Sequence, residues 1–268
     1  MSIEKAKQLI NDSQVIVLLT GAGMSADSGL DTFRNTTNSL NSIKNNKVSY
    51  TELTTETAFK NQNELAWTFH GERYNNYVKA QPHEGYFKLL KLMEEKEGHF
   101  VVTSNIDSAH HKAGFKDVYE IHGRLKKFQC HDCKDIWESK EDTYFDIDEE
   151  TYTLKNGVPL CKKCGGTTRP NVMFFGYDVG FDKEETNTQS RTFTKFMQQY
   201  DQGTHKILLI EIGAGEAVPT IRHMSEFIHT HVPNATLLRI NPTDINVPDD
   251  RAIVIKKNGL EAINILLD

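Results

Sequence analysis

The sequence predicts an α/β fold: a parallel sheet covered by helices on both faces, interrupted by a small metal-binding module. Three observations carry this reading. The last hundred residues alternate short apolar runs with amphipathic stretches, the rhythm of strands and crossover helices. Near the start, the apolar run 15–19 ends in a glycine-rich turn, Thr20-Gly21-Ala22-Gly23. Four cysteines fall as Cys130-x2-Cys133 and Cys161-x2-Cys164, with 27 residues between the pairs.

Taken in order, Ser2 caps a first helix that puts Ile3, Ala6 and Ile10 on one face and ends near residues 11–13. The 15–19 run is continuous enough to be a buried parallel strand. Residues 35–46, almost all Asn, Ser and Thr, form a mobile loop after the glycine turn, either a lid or a plain surface connection. Residues 50–80 read as helical, with Leu65, Trp67, Phe69, Tyr74 and Tyr77 as an aromatic packing face. Pro82 interrupts, and a helix over 85–95 carries Tyr86, Leu89, Leu90 and Met93 inward.

A strand at 99–103 runs into Ser104-Asn105-Ile106-Asp107, a helix follows around 108–114, and the apolar segment 118–121 leads to His122-Gly123. The cysteine module occupies about 126–168, and its acidic middle, 142–150, reads as an exposed loop open to a basic substrate segment. Residues 169–176 return the chain to the larger unit, which comprises 1–125 and 169–268, with an insertion at about 35–80. Strands at 207–212, 236–240 and 252–255 then alternate with helices at 219–231 and 259–267.

Composition narrows the function. The net charge of −6 argues against a nucleic-acid-binding surface. No stretch approaches the ~20 apolar residues of a membrane span, and the first residues lack the basic start and apolar core of a signal peptide. A cytoplasmic protein is expected. In a reducing compartment two Cys-x2-Cys knuckles are metal ligands rather than disulfides. Four thiolates complete a tetrahedral zinc site with no open position, so the zinc is structural and His131, between the first pair, is left to solvent.

Ligands of parallel sheets bind beyond the C-terminal ends of the strands. The Gly21 turn, the Ser104–Asp107 segment, Gly213-Ala214-Gly215 and Asn241-Pro242 all sit at such ends. Gly21, Gly23 and Ala26 match G-x-G-x-x-A, a turn whose bare backbone brings N–H groups close to a phosphate. No Gly-Lys-Ser/Thr follows, and the acidic residue expected ~20 positions later falls in the Asn-rich loop. The pattern describes a dinucleotide site without the usual ribose carboxylate.

With these pieces in order, the chain resembles a sirtuin over nearly its whole length. The family's G-A-G-x-S-x-x-S-G-(I/V)-P-D-F-R is matched from Gly21 to Arg34, and its T-Q-N-I-D-x-L-H-x-x-A-G from Thr103 to Gly114. His122-Gly123, the four cysteines, and Arg169 to Gly176 against R-P-x-V-V-x-F-G follow in family order. The resemblance implies a Rossmann-type domain, a zinc-ribbon module, and NAD in the cleft between them. Gly21, Ala22, Gly23, Phe33 and Arg34 would wrap the pyrophosphate and nicotinamide ribose. Ser104 would stand at a ribose contact. Asn105, Ile106 and Asp107 would hold the nicotinamide end. Gly213, Ala214, Gly215, Asn241, Asn258 and Gly259 would line the adenosine side. Val172 and the backbone of Phe174, Phe175 and Gly176 would pair with an acyl-lysine peptide as an added strand. Cys130, Cys133, Cys161 and Cys164 would hold zinc.

The implied activity is NAD-dependent protein-lysine deacylation. The acyl carbonyl oxygen attacks C1′ as nicotinamide leaves, and His122 then takes the proton of the attacking ribose hydroxyl, helped by Asn105 and Asp107. Imidazole suits that task because its ordinary pKa lies near neutrality. Departures mark a divergent, microbial kind of member: Ser104 for Gln, Asp31-Thr32 for Pro-Asp, Gly-Ala-Gly-Glu for Gly-Thr-Ser-Leu, and Tyr177 for Glu. They keep two alternatives open, ADP-ribosyl transfer or NAD hydrolysis on the same fold, and a non-catalytic NAD-binding module. Trp67-Thr68-Phe69 is followed by His70 and Arg73, where members that prefer dicarboxylic acyl groups carry a Tyr-x-x-Arg pair. Arg73 either accepts an acyl carboxylate or lies on a solvated helix face.

Overall fold

The computed structural model describes residues 2–31, 50–176 and 178–268. The chain begins with α1 (Ser2–Asp12), β1 (Val15–Thr20) and the short α2 (Ala22–Ala26). A helical segment follows: α3 (Tyr50–Leu53), α4 (Glu56–Asn61), α5 (Asn63–Lys79) and α6 (Glu84–Glu94). Then come β2 (Gly98–Thr103), α7 (Ala109–Ala113) and β3 (Val118–Glu120). The middle of the chain forms β4 (Gly123–Cys130), β5 (Ile136–Glu138), β6 (Ile147–Asp148), β7 (Thr153–Leu154) and β8 (Thr168–Val172). The last part is α8 (Glu184–Tyr200), β9 (Ile207–Ile212), α9 (Thr220–His231), β10 (Ala235–Ile240), β11 (Ile253–Ile255) and α10 (Gly259–Leu267).

Six strands make one all-parallel sheet in the order β11-β10-β9-β1-β2-β3. The chain steps outward from β1 in one direction, returns, and steps outward from β9 in the other. The two halves therefore part between β1 and β9, the place where parallel sheets of this order open a crevice for ligands. All six residues of β1 are buried, and they alternate between two cores. Ile16 and Leu18 meet Ala6 of α1, Tyr86 of α6 and Ile263 of α10. Val15, Val17 and Leu19 meet Phe193 of α8 and Ile221 and Ile228 of α9. A sheet buried on both faces needs the largely apolar runs the sequence shows.

A second, antiparallel sheet has the order β5-β4-β8, and β6 and β7 pair as a ribbon. The aromatic face of α5 does not pack on the large sheet. Trp67 and Tyr74 share a core with Phe128 of β4, Val172 of β8, Phe145 and Phe174. Trp67 Nε1 donates to the Thr168 carbonyl at 2.8 Å, which ties the helical segment to the small sheet.

Three expectations change. Helix α1 begins at Ser2, which is therefore helical rather than a cap. The acidic stretch 142–150 is not simply an exposed loop. Phe145 is buried, stacks on Trp67 at 5.5 Å, and exchanges two hydrogen bonds with Asn75. Helix α8 has no counterpart in the sequence reading. Only Thr186, Phe193 and Met197 are buried along it, too narrow a stripe to announce a helix. Its threonines return their hydroxyls to carbonyls one turn back, as Thr188, Thr192 and Thr194 do, which satisfies them on an exposed face.

Candidate active site

The loops after β1, β2, β9 and β10 enclose a cleft of about 490 Å³, together with α5, the end of β8 and the start of α10. That volume suits a ligand of dinucleotide size. Gly21, Ala22 and Gly23 line it after β1; Ser104, Asn105, Ile106 and Asp107 after β2; Gly213, Ala214 and Gly215 after β9; Asn241 after β10. Asn258 and Gly259 enter from the start of α10, and His122, Val172, Phe174, Phe175 and Arg73 close the opposite side. Gly176 does not line the cleft. Phe33, Arg34, Thr32 and the loop 35–46 lie outside the described residues, as does Tyr177.

The glycines have a structural reason beyond room for a phosphate. A Cβ on Gly21 would lie 2.7 Å from the Gly213 carbonyl oxygen, and one on Gly213 only 2.4 Å from Gly23 Cα. Gly213 also holds φ +64°. The turns after β1 and β9 thus touch backbone to backbone across the crevice, which side chains would pry apart. Gly21 N–H donates to Ile212 O and Gly23 N–H to Gly213 O, each at 3.0 Å.

Beside this turn, four side chains form one buried network. Ser25 Oγ donates to Asp107 Oδ2 at 2.6 Å and lies 3.0 Å from the Tyr86 hydroxyl. Asn105 Nδ2 donates to Ser25 Oγ at 3.1 Å and to Gly21 O at 2.9 Å. Asp107 Oδ1 accepts the Ala109 N–H at 2.8 Å. Burial pushes the Asp107 carboxyl up, against the pull of those two donors. Ser104 N–H is spent on Thr20 O at 3.1 Å, so that residue offers the cleft only a short hydroxyl.

His122 sits in the turn between β3, the last strand of the large sheet, and β4 of the small one. Its Nε2 lies 3.3 Å from Thr220 Oγ1, and its carbonyl accepts the Met173 N–H at 2.9 Å. Burial lowers its pKa, although a hydrogen bond to the Ser104 backbone favours the protonated ring. The residue after it is glycine for a steric reason. Gly123 has φ +71°, and a Cβ there would lie 2.4 Å from Asn171 O of β8. A neutral imidazole is therefore held at the junction of the two sheets, in the cleft that Asn105 and Asp107 also line.

The edge expected to bind a peptide is partly engaged. The N–H groups of Met173, Phe174 and Phe175 go to His122 O, Asp178 Oδ2 and Thr54 O, each at 2.9 Å. Phe174 is buried, stacked on Phe59 at 5.1 Å. A buried bidentate pair, Arg169 to Asp178 at 2.7 and 2.6 Å, folds this segment back on itself. Arg73 is not on a solvated face. It lines the cleft within a cage of Tyr50, Phe69 and Tyr77, whose ring centres lie 5.4, 5.7 and 5.2 Å from its guanidinium carbon.

The four cysteines converge as their spacing predicts. The sulfurs lie within 4.8 Å of one another, with Cys130–Cys164 at 3.5 Å and Cys133–Cys161 at 3.6 Å. A tetrahedron with ~2.3 Å zinc–sulfur arms has edges of roughly 3.8 Å, so this set fits zinc. His131 is half-buried with Nε2 covered, not solvated, and stands outside the set.

Comparison with known proteins agrees with this architecture. Residues 21–203 match the model of the Sir2 family. The chain belongs to that family. It is 38% identical over 167 residues to an NAD-dependent protein deacylase of Aquifex aeolicus, a match spanning 62% of this chain and 64% of that protein. To an NAD-dependent protein deacetylase of Clostridium perfringens it is 33% identical over 177 residues, 65% of this chain and 66% of that one. The matches thus span just under two thirds of these relatives. A solved Sir2–p53 peptide–NAD+ complex superimposes with TM-score 0.72 at 25% identity, covering 98% of this chain and 96% of that one. A Sir2 homologue–NAD complex gives TM-score 0.73 at 24% identity over 98% and 92%, a likeness of fold.

Within this Sir2-family chain, sequence reasoning gave no separate role to Ser25, Tyr86 or Asp178. Ser25 lay inside a quoted motif, but its Asp107 partner is 82 residues away. Two buried histidines, His70 in the cleft wall and His110 behind it, set an acid limit on stability. Burial holds His70 and His110 down to about 3, so the folded state excludes protons that the unfolded chain binds from about 6.5. Their stability contribution is complete above pH ~6.5 and is lost as pH falls toward 3, with a limiting slope of about 1.4 kcal/mol per pH unit per ring. Urea midpoints should therefore fall steadily from pH 6.5 to pH 4, and H70F should flatten that slope. An unchanged slope would remove His70 from the account.

Proposed function

We propose that this chain is an NAD-dependent protein-lysine deacylase acting on acyl-lysine peptides. The observation that carries the reading is His122, neutral and buried where the two sheets meet, lining the same cleft as Asn105 and Asp107 and bonded to the neighbouring Ser104 backbone. Bound in this cleft, NAD would supply the electrophilic ribose carbon and the ribose hydroxyl to which the acyl group passes. Asp107, anchored by Ser25 and the Ala109 N–H, presents a fixed carboxyl at the nicotinamide end, and Asn105 is braced against the Gly21 carbonyl. His122 accepts a proton from the ribose hydroxyl; its lowered pKa keeps it able to do so below neutrality. The Gly21–Gly23 turn holds the pyrophosphate side, and Gly213, Ala214, Gly215, Asn241, Asn258 and Gly259 the adenosine side. Val172, Phe174 and Phe175 border the peptide, with Gly176 just outside the cleft; the N–H groups of Met173, Phe174 and Phe175 and the Val172 carbonyl are already engaged, so added-strand pairing here is partial. Cys130, Cys133, Cys161 and Cys164 hold a structural zinc. We divide the chain at about 126 and 168 into a nucleotide-binding unit and a zinc module. Among the described residues no helix is long and apolar enough to cross a membrane; four reduced thiolates support a cytoplasmic setting.

The caged Arg73 supports an acyl group that ends in a carboxylate. Incubation with NAD and acetyl-, succinyl- and unacylated lysine peptides tests both levels of the proposal. Nicotinamide release with O-acyl-ADP-ribose by mass spectrometry is the expected result. ADP-ribosylated protein or free ADP-ribose alone would support transfer or hydrolysis instead, and NAD binding without nicotinamide release a binding module. R73A should lower kcat/KM for the succinyl peptide roughly 10- to 100-fold, the loss of a charged hydrogen bond, and leave the acetyl peptide within a few fold. Equal losses on both peptides would place Arg73 in the scaffold.

A further inference from the structure

Near the C-terminal ends of β9 and β10, a buried charge cluster reaches the wall of the cleft. Glu211 interrupts the apolar run of β9 and lies in register with Arg239 of β10; neither side chain is exposed. Arg239 donates from Nε and Nη2 to the two Glu211 oxygens at 2.6 and 2.8 Å, and from Nη2 to Glu226 Oε1 of α9 at 3.0 Å. Ser225 Oγ donates to the same Glu211 carboxylate. Two apolar side chains would fill this space without stripping two charges of water, so the pair is weak evidence for stability alone. Its significance lies in what it holds.

What it holds is the loop after β10. Arg239 Nη1 donates to the Asn246 carbonyl. Arg222 of α9, also buried, donates to that carbonyl at 2.5 Å and to the Asp244 carbonyl at 3.1 Å. Two guanidiniums from different elements thus converge on one turn of irregular backbone. The cleft-facing side of that turn is the wall itself. Asp244 Oδ2 accepts the Glu216 N–H at 3.1 Å, and Asn241 Nδ2 donates to Ala214 O at 2.9 Å. Asn241 Oδ1 accepts the N–H groups of Thr243 and Asp244, both at 3.0 Å. A continuous set of hydrogen bonds therefore runs from Glu211 through both arginines to the turns after β9 and β10.

We propose that Arg222 and Arg239 are positioning residues for the adenosine half of the dinucleotide. They hold the 244–246 carbonyls so that Asn241 and the 214–216 turn are ordered before the ligand arrives. The inference rests on the reading of the cleft as an NAD site. Without the clamp the loop has to be ordered at each binding event, so the cost falls on binding and not on the chemical step. The nicotinamide end, built after β2, is untouched. Lysine is a poor substitute for Arg222, because a single ammonium on a flexible stem matches two carbonyls less well than a planar fork.

The test uses the full chain. R222M should raise KM for NAD and Kd for ADP-ribose about tenfold, the scale of a lost charged hydrogen bond. Its kcat should stay within about twofold and its inhibition constant for nicotinamide should not move. R222K should recover part of the ADP-ribose affinity. The double variant E211L/R239L removes both buried charges, should fold at least as well by its thermal midpoint, and should still bind ADP-ribose more weakly. Wild-type ADP-ribose affinity in both R222M and E211L/R239L would overturn the inference. So would parallel losses of nicotinamide and ADP-ribose binding in E211L/R239L, which would mark a general structural role. If the wild-type chain binds neither NAD nor ADP-ribose, the cofactor reading fails instead, an outcome visible before any variant is made.

Discussion

His122→Ala should lower deacylation by ~10²–10⁴-fold, the usual contribution of a positioned general base, while NAD still binds. The imidazole is held from both sides, by the Ser104 backbone and near Thr220 Oγ1, and its carbonyl anchors Met173, so removing the ring leaves the backbone path intact. The wild-type pH profile carries a second signature. Burial lowers the pKa of His122, so kcat/KM should rise with pH through an apparent midpoint below the ordinary 6.5 and be level at neutrality. Steady-state nicotinamide release from pH 5 to 8 reads both. An alanine variant that keeps full deacylation would remove His122 from the chemistry, and an acid limb centred above 6.5 would contradict its burial.

The largest structural effect is expected from the metal. Cys130→Ser should abolish stoichiometric zinc and unfold the small sheet, since structural zinc sites contribute ~10–16 kcal/mol of apparent binding free energy. The loss should reach the active site. Cys130 ends β4, and that strand begins at Gly123, directly after His122. Pairing of β4 with β8 also fixes the Asn171 carbonyl against which Gly123 packs. Zinc content by chelating dye and limited proteolysis around 126–168 should change together, with activity falling in step. A metal-free variant that retains full activity and protease resistance would refute the structural role.

Much of the fold was legible because parallel strands covered on both faces require largely apolar runs: β1 has an unbroken one, and β9 and β10 are each broken by a single charged residue, Glu211 and Arg239. The site was legible wherever its chemistry is local in sequence. Asn105 and Asp107 follow a strand end, and two Cys-x2-Cys knuckles need no long-range information to suggest zinc; a His before a Gly is no signal by itself, and the steric reason for Gly123 lies in Asn171 of β8. Helix α8 escaped because its buried stripe holds three residues over 17 positions, too sparse for a periodic signal. Phe145 escaped because an aromatic residue among acids looks solvated until Trp67 is brought against it.

By itself the sequence determined the class of fold and the metal set, which follow from patterning and spacing along the chain, while the resemblance to a family supplied most of the residues around the cleft. Only the tertiary structure decided which partners those residues have. It showed that Gly21 and Gly23 are glycines because Gly213 packs on their backbone, and that Arg73 faces the cleft within three aromatic rings. It also showed that the Glu near the end of β9 pairs with an Arg 28 residues later. These facts depend on which strand lies beside which, and that order comes from the packing of both helical layers on one sheet. No local pattern encodes it.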